Sequence, residues 1–385
     1  MTMSLEGNWN YPTSIRFGAG RIRELPDACE ELRIRNPLLV TDPGLAKMDI
    51  VTQTKAIIEA AGLPITVFSD VRPNPVERNV MDGQVMYRDN GCDGIIAMGG
   101  GSALDVAKAI ALLCGQSAPL FDFEDVGDNW ARANEATIAP IVAVPTTSGT
   151  GSEVGRCSVI TDPVDQRKKI IFHPKMLPER VIDDPALTTS MPPILTAQVG
   201  MDALGHNLEA FFAPGYHPMA DGIALEGTRL IKDFLLSAVQ AGENIEARSQ
   251  MMVASTMGAT AFQKGLGAVH AMAHPVSAAL DTHHGLAISV FMPYVVAFNM
   301  KTIGEKVERL KRLLGLKQGV VDWLLEFREA LGLPHTAAEL GVTAAMIPGL
   351  TVSALRDPTL PTNPRALSEA DIERLYRHAL DGTLP

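Results

Sequence analysis

Gly94-Ile95-Ile96-Ala97-Met98-Gly99-Gly100-Gly101-Ser102 runs from an unbroken apolar stretch into three glycines and a serine, after which Ala103–Ala111 continues in a helical pattern. The apolar run reads as a strand covered on both faces. Glycines let the backbone approach a ligand closely, and the free amides at a helix start point toward an anion. Strand, glycine loop and helix together therefore make either a pyrophosphate cradle, centred on Gly100, Gly101 and Ser102, or a tight turn that binds nothing. The spacing is not G-x-G-x-x-G. Gly18-Ala19-Gly20 fits that fingerprint less well, because no third glycine follows. It reads as the turn of a small hairpin begun by Ser14–Phe17.

Working outward, further apolar runs stand at Pro37–Thr41, Ile65–Ser69, Ile138–Val144 and Ile170–Phe172, with helical patterns at Val51–Ala61, Val76–Asp89 and Ala103–Cys114. Strand and helix in alternation predict a parallel sheet with helices on its faces. After about Pro185 the character changes. Pro192 and Pro193 interrupt the chain, and apolar residues then recur at helical spacing over Thr196–Phe212, Ala220–Gln240, Ala247–Lys264 and Lys306–Leu314. Ser368 and Asp371 start a last helix with the spacing of a capping box. Two domains are expected: an α/β domain over 1–185 and an all-helical domain over 186–385.

The 385 residues carry a net charge of -11, and basic residues cluster only at Arg167-Lys168-Lys169. Such a surface argues against nucleic acid or an anionic membrane as partner. The cysteines Cys29, Cys92, Cys114 and Cys157 form no CxxC pair. Met1–Pro12 lacks a basic start followed by an apolar run, and no uninterrupted apolar stretch reads as long enough to cross a bilayer. A reducing, cytoplasmic setting without disulfides is expected.

Val144-Pro145-Thr146-Thr147-Ser148-Gly149-Thr150-Gly151-Ser152 is a second loop after a buried run, dense in hydroxyls and glycines. Its composition suits an ordinary loop, or a surface that hydrogen-bonds ribose and phosphate. It lacks the G-x-S-x-G of a hydrolase nucleophile. Asp42 follows the strand at Pro37–Thr41. An acid there can accept bonds from a ribose hydroxyl and repel a 2′-phosphate, favouring NAD over NADP, or it can cap the loop ahead of Pro43-Gly44.

Four of the nine histidines lie between positions 270 and 284. His270 and His274 are one helical turn apart and share a face, as do Asp202 and His206. Two helices that each offer such a pair can enclose one divalent ion, and a His/Asp set accepts iron or zinc alike. His173, His217, His335 and His378 read as ordinary hydrogen-bonded residues.

These blocks carry a resemblance. Gly99–Ser102 with Asp105 and Lys108, Pro145–Glu153 (PTTSGTGSE), Gly200–His206 (GMDALGH), Gly267–Pro275 (GAVHAMAHP) and His284-Gly285 are similar, along the whole chain, to the iron-containing (group III) alcohol dehydrogenases. The resemblance implies a doubly wound N-terminal domain with an all-α C-terminal domain, the two-domain plan of dehydroquinate synthase. It implies a cytoplasmic oxidoreductase that moves a hydride between NAD, less readily NADP, and a small alcohol or aldehyde. It also implies a homodimer or higher homo-oligomer. Carried over, Asp202, His206, His270 and His284 hold a divalent ion, usually Fe(II) and alternatively Zn(II), and His274 relays a proton near the nicotinamide. Asp42, Asn74, Gly100, Gly101, Ser102, Asp105, Thr146, Thr147, Thr150 and Lys168 would contact the dinucleotide.

Two departures stand out. Members often have proline before the last ligand, where this chain has His283, so the choice of His284 over His283 rests on alignment. The interval from Phe262 to His270 is also one residue shorter than in many members. Glycerol dehydrogenase-like and dehydroquinate synthase-like enzymes share the plan with a different substrate, and a non-catalytic dinucleotide sensor is the reading from another class.

Overall fold

A computed structural model describes residues 12–164 and 167–385. The stretch read above for a leader lies almost wholly outside them. The described chain divides into two compact units, one within Tyr11–Thr147 and Gly151–Ser190, the other comprising Ser148–Thr150 and Met191–Pro385.

The first unit holds strands β1 (Ser14–Phe17), β2 (Pro37–Val40), β3 (Thr66–Phe68), β4 (Gly94–Gly99), β5 (Ile141–Pro145), β6 (Cys157–Asp162), β7 (Arg167–Phe172) and β8 (Arg180–Asp183). Its helices are α1 (Leu25–Glu31), α2 (Asp49–Ala60), α3 (Glu77–Asp89) and α4 (Gly101–Leu113). Six strands form one sheet in the order β1-β8-β5-β4-β2-β3, every pair parallel. Successive side chains of a strand face opposite ways. Ile95 and Ala97 accordingly join one apolar cluster with α4 residues, whereas Ile96 and Met98 join another with α1 and α2 residues. Val142 and Val144 of β5 likewise part from Ile141 and Ala143. The sheet is thus covered on both faces, which explains its unbroken apolar runs.

Two expectations are corrected. Ser14–Phe17 is no hairpin arm but the edge strand of the sheet, parallel to β8 with Ser14 opposite Arg180. Asp184 holds the Gly18–Gly20 turn instead, accepting the N–H of Gly20 at 2.9 Å and of Ile22 at 3.0 Å. Ile170–Phe172 lies outside the parallel sheet, in β7, which pairs antiparallel with β6. Both errors have one cause: short runs carry no record of a partner far along the chain. Strands β6 and β8 were not foreseen for the same reason.

The second unit is all-helical: α5 (Pro193–Phe212), α6 (Pro218–Gln240), α7 (Ile245–Ala261), α8 (Ala268–Leu280), α9 (His284–Leu314), α10 (Val320–Ala330), α11 (Ile347–Leu355) and α12 (Glu369–Asp381). Pro193 is the first residue of α5, where a missing N–H costs nothing. The capping box of Ser368 and Asp371 opens α12. Contrary to expectation, α9 is long and apolar enough to cross a bilayer. It is a core helix, packed against α5, α8 and α10. Pro293 within it cannot donate to the Ser289 carbonyl, and buried Arg328 reaches that carbonyl at 3.4 Å and that of Val290 at 3.1 Å.

Candidate active site

Helix α5 places Asp202 and His206 on one face, α8 contributes His270, and the first residue of α9 is His284. Ligand atoms of Asp202, His206 and His270, all buried, lie within 4.8 Å of one another. Asp202 Oδ1 is the hub: Nε2 of His206, His270 and His284 stand 3.8, 3.9 and 3.6 Å from it. Ligands about 2.1 Å from a tetrahedral ion sit about 3.4 Å apart, so this spacing suits one cation. Asp202 Oδ1 and His270 Nε2 are moreover buried without a hydrogen-bond partner. Polar atoms in that state are rare unless an ion or water completes them. His283 is exposed at the N-cap of α9.

The glycine loop is equally specific. Gly99 has φ of 148°, and a Cβ there would meet that of Ala103 at 2.8 Å. Gly100 is the N-cap of α4 and offers the helix no side-chain cap, so the amides at this helix start are left to another acceptor. Thr147 lies beside it, 3.3 Å from where a Gly100 Cβ would stand. Ser102 donates its hydroxyl to the Pro73 carbonyl, and the Pro75 carbonyl accepts from Thr161 N–H at 2.8 Å. Lys168 is the register partner of Thr161. The loop carrying Asn74 is therefore tied to both the glycine loop and the β6–β7 ribbon.

The two halves of the chain match, in order, the models of "iron-containing alcohol dehydrogenase" over residues 12–185 and of its C-terminal domain over 196–380. The chain belongs to the iron-containing alcohol dehydrogenase family. It is 38% identical over 382 residues to a 4-hydroxybutyrate dehydrogenase of Cupriavidus necator, covering 96% of this chain and 99% of that one. A solved 1,3-propanediol oxidoreductase superposes with a TM-score of 0.92 at 33% identity, over 97% of this chain and all of the other. The sulfoacetaldehyde reductase of Bifidobacterium kashiwanohense, solved in complex with NAD+, has a TM-score of 0.88 at 30% identity, over 98% and 99%. As a family member the chain is a metal-dependent oxidoreductase that passes a hydride between NAD(H) and a small alcohol or aldehyde.

Two carboxylates of this alcohol dehydrogenase were not foreseen. Glu209 Oε2 lies 2.5 Å from His270 Nδ1, and Asp357 Oδ2 lies 2.7 Å from His274 Nδ1. Glu209 had a signal: with Asp202 and His206 it continues the same stripe of α5 at helical spacing. Asp357 lies beyond α11 and carries no such pattern.

Several other predicted residues also have places within the fold. Asp42 Oδ1 accepts the N–H of Gly44 and of Leu45, each at 2.9 Å, so it caps its loop with one oxygen. Both carboxylate oxygens of Asp105 are engaged, one by Ser152 Oγ at 2.6 Å and one by Val159 N–H at 2.9 Å. Thr146 is buried, and its N–H donates to the Gly99 carbonyl. Thr150 sits in the Ser148–Thr150 segment, which groups with the helical unit. The remaining histidines serve locally. His173 and His217 cap helices through Nδ1, and His335 and His378 contact Arg328 and Thr383.

At His206 electrostatics agree with a ligand role. Burial, opposed by Asp202, pushes the His206 pKa down to about 4, keeping the imidazole neutral and able to bind a cation. At His270 burial also works against the charge, but the hydrogen bond and charge of Glu209 prevail and the pKa is raised.

Proposed function

We propose that Asp202, His206, His270 and His284 hold the divalent ion of an NAD-linked dehydrogenase for short alcohols and aldehydes. The observation that carries this reading is the convergence of three imidazole nitrogens on a buried, unpartnered carboxylate oxygen. A divalent ion there supplies Lewis-acid polarisation of the substrate oxygen. Fe(II) is the metal the family's name favours, and a His/Asp set also accepts Zn(II). The Phe262 ring, 5.1 Å from that of His206, gives the cluster an apolar flank suited to a carbon chain.

In this proposal Gly100, Gly101 and Ser102 present the α4 amides to the pyrophosphate, while Asn74, Asp105, Thr146, Thr147, Thr150 and Lys168 complete the dinucleotide site. The outer oxygen of Asp42 faces the ribose and disfavours a 2′-phosphate. His274 carries the alcohol proton away. 4-Hydroxybutyrate and 1,3-propanediol are the first substrates to try, because two relatives bear those names. We further propose a cytoplasmic homodimer; four free cysteines fit a reducing compartment.

The test couples metal analysis of the purified protein to NAD and NADP reduction with 4-hydroxybutyrate, 1,3-propanediol and ethanol. His270→Ala loses bound metal and turnover together, whereas His274→Ala keeps the metal and slows turnover. Full metal and full activity in His270→Ala would refute the ligand assignment.

A further inference from the structure

His270 and His274 stand one turn apart on α8, and each presents Nδ1 to a buried carboxylate. For His270, with Nδ1 on Glu209, the other nitrogen faces Asp202. His274 is built in the same way but beside the cluster: its ring stacks on His284 with centroids 5.1 Å apart and planes 17° apart. Its Nδ1 partner, Asp357, is pinned in turn. Asp357 Oδ1 accepts from Thr359 N–H at 2.9 Å and from Thr359 Oγ at 2.6 Å. The Gly267 carbonyl at the N-cap of α8, 3.2 Å from the Thr359 hydroxyl, is the alternative acceptor for its one proton. Burial works to raise the Asp357 pKa, yet His274 and Thr359 hold it down to about 2, so the acceptor stays ionised.

We infer that Asp357 is the positioning residue for His274, fixing the ring by accepting its Nδ1–H and leaving Nε2 as the nitrogen turned toward the chemistry. This rests on the proton-relay reading of His274. A carboxylate behind a histidine sets its tautomer and plane, which is why such partners matter to rate without touching substrate. The stack on His284 restrains the plane of the ring but does not choose which nitrogen carries the proton. Without Asp357 the imidazole is free to turn about its side-chain bonds, and the productive orientation becomes one of several.

The experiment measures metal content, KM and kcat for D357N, D357E, H274A and the double variant H274A/D357N, using NAD with the fastest of the three alcohols named above. In D357N the metal is retained and KM for NAD is near wild type, while kcat falls about 10- to 100-fold. D357E, which keeps the charge, recovers part of that loss. In the H274A background D357N adds no more than about a twofold change, because the two residues act as one unit. Wild-type kcat in D357N beside a slow H274A overturns the inference and leaves the His274 reading standing. Equal losses from D357N with and without His274 also overturn it. Wild-type kcat in H274A removes the reading of His274 and this inference with it. Should D357N melt near the assay temperature, T359V takes its place, since it loosens Asp357 and leaves the carboxylate; an unchanged kcat there counts against the proposal.

Discussion

Glu209 Oε2 lies 2.5 Å from His270 Nδ1 while Oε1 of the same carboxylate accepts the N–H of Val269 at 2.7 Å. One side chain of α5 thus caps the start of α8 and orients the histidine that α8 carries. Helix α8 has glycine, Gly267, as its N-cap and no capping side chain of its own. A Cβ at Gly267 would meet Glu209 Oε1 at 2.8 Å and Asn363 Oδ1 at 2.9 Å. The glycine is required because an outside carboxylate and amide take the place of the usual cap.

Glu209→Gln is expected to lower metal affinity about 10- to 100-fold, as loss of a ligand's carboxylate partner does elsewhere. Glu209→Ala is expected to lose stability as well, by roughly 1–3 kcal/mol for the unsatisfied amides at the α8 start. Metal titration followed by fluorescence, with thermal melts of the metal-free protein, separates the two effects. Unchanged affinity in Glu209→Gln would show that the contact does not tune His270.

Gly149 presses its backbone onto α5. A Cβ there would fall 2.7 Å from the Val199 carbonyl oxygen and 2.9 Å from its Cα. Backbone on both sides cannot yield, and the Gly149 carbonyl is the partner of His206 Nδ1 at 3.3 Å. Gly149→Ala is therefore expected to displace His206 and lower metal content, although the substitution adds one methyl group. A metal-replete, fully active Gly149→Ala would disprove it.

Asp42→Ser keeps a side-chain oxygen able to cap Gly44 and Leu45 but removes the charge. The ratio of kcat/KM for NADP to that for NAD is expected to rise about tenfold or more, since a 2′-phosphate no longer meets an acid. The melting temperature should hold. If the ratio stays put, Asp42 is a loop cap alone.

The last carbonyls of α5 are held by two lysines. Lys306 Nζ donates to Phe211 at 2.7 Å and to Ala213 at 3.0 Å, and Lys264 Nζ reaches Phe211 at 3.3 Å. Burial and the neighbouring Lys264 push the Lys306 pKa down from 10.5 to about 8. Between those values the unfolded chain binds more protons than the folded one, so this group adds stability as pH rises from about 8 to 10.5. Below about 8 it is charged in both states and the penalty is complete. The margin in melting temperature of wild type over Lys306→Met should therefore widen across that window. A margin that narrows with rising pH would contradict the assignment.

The legible parts of this protein were local. Unbroken apolar runs and period-3.6 patterns reveal buried strands and amphipathic helices because each is set by neighbours within a turn or two. The same holds for Gly99–Ser102 opening α4, and for Asp202 with His206 and His270 with His274, pairs that share a helix face by geometry alone. Tertiary structure alone decided which face meets which. It placed Ser14–Phe17 beside a strand 166 positions on, brought His284 to Asp202, and set Asp357 behind His274 across 83 residues. Such pairings come from packing whole elements on one another, and nothing in the local pattern of either partner records the other.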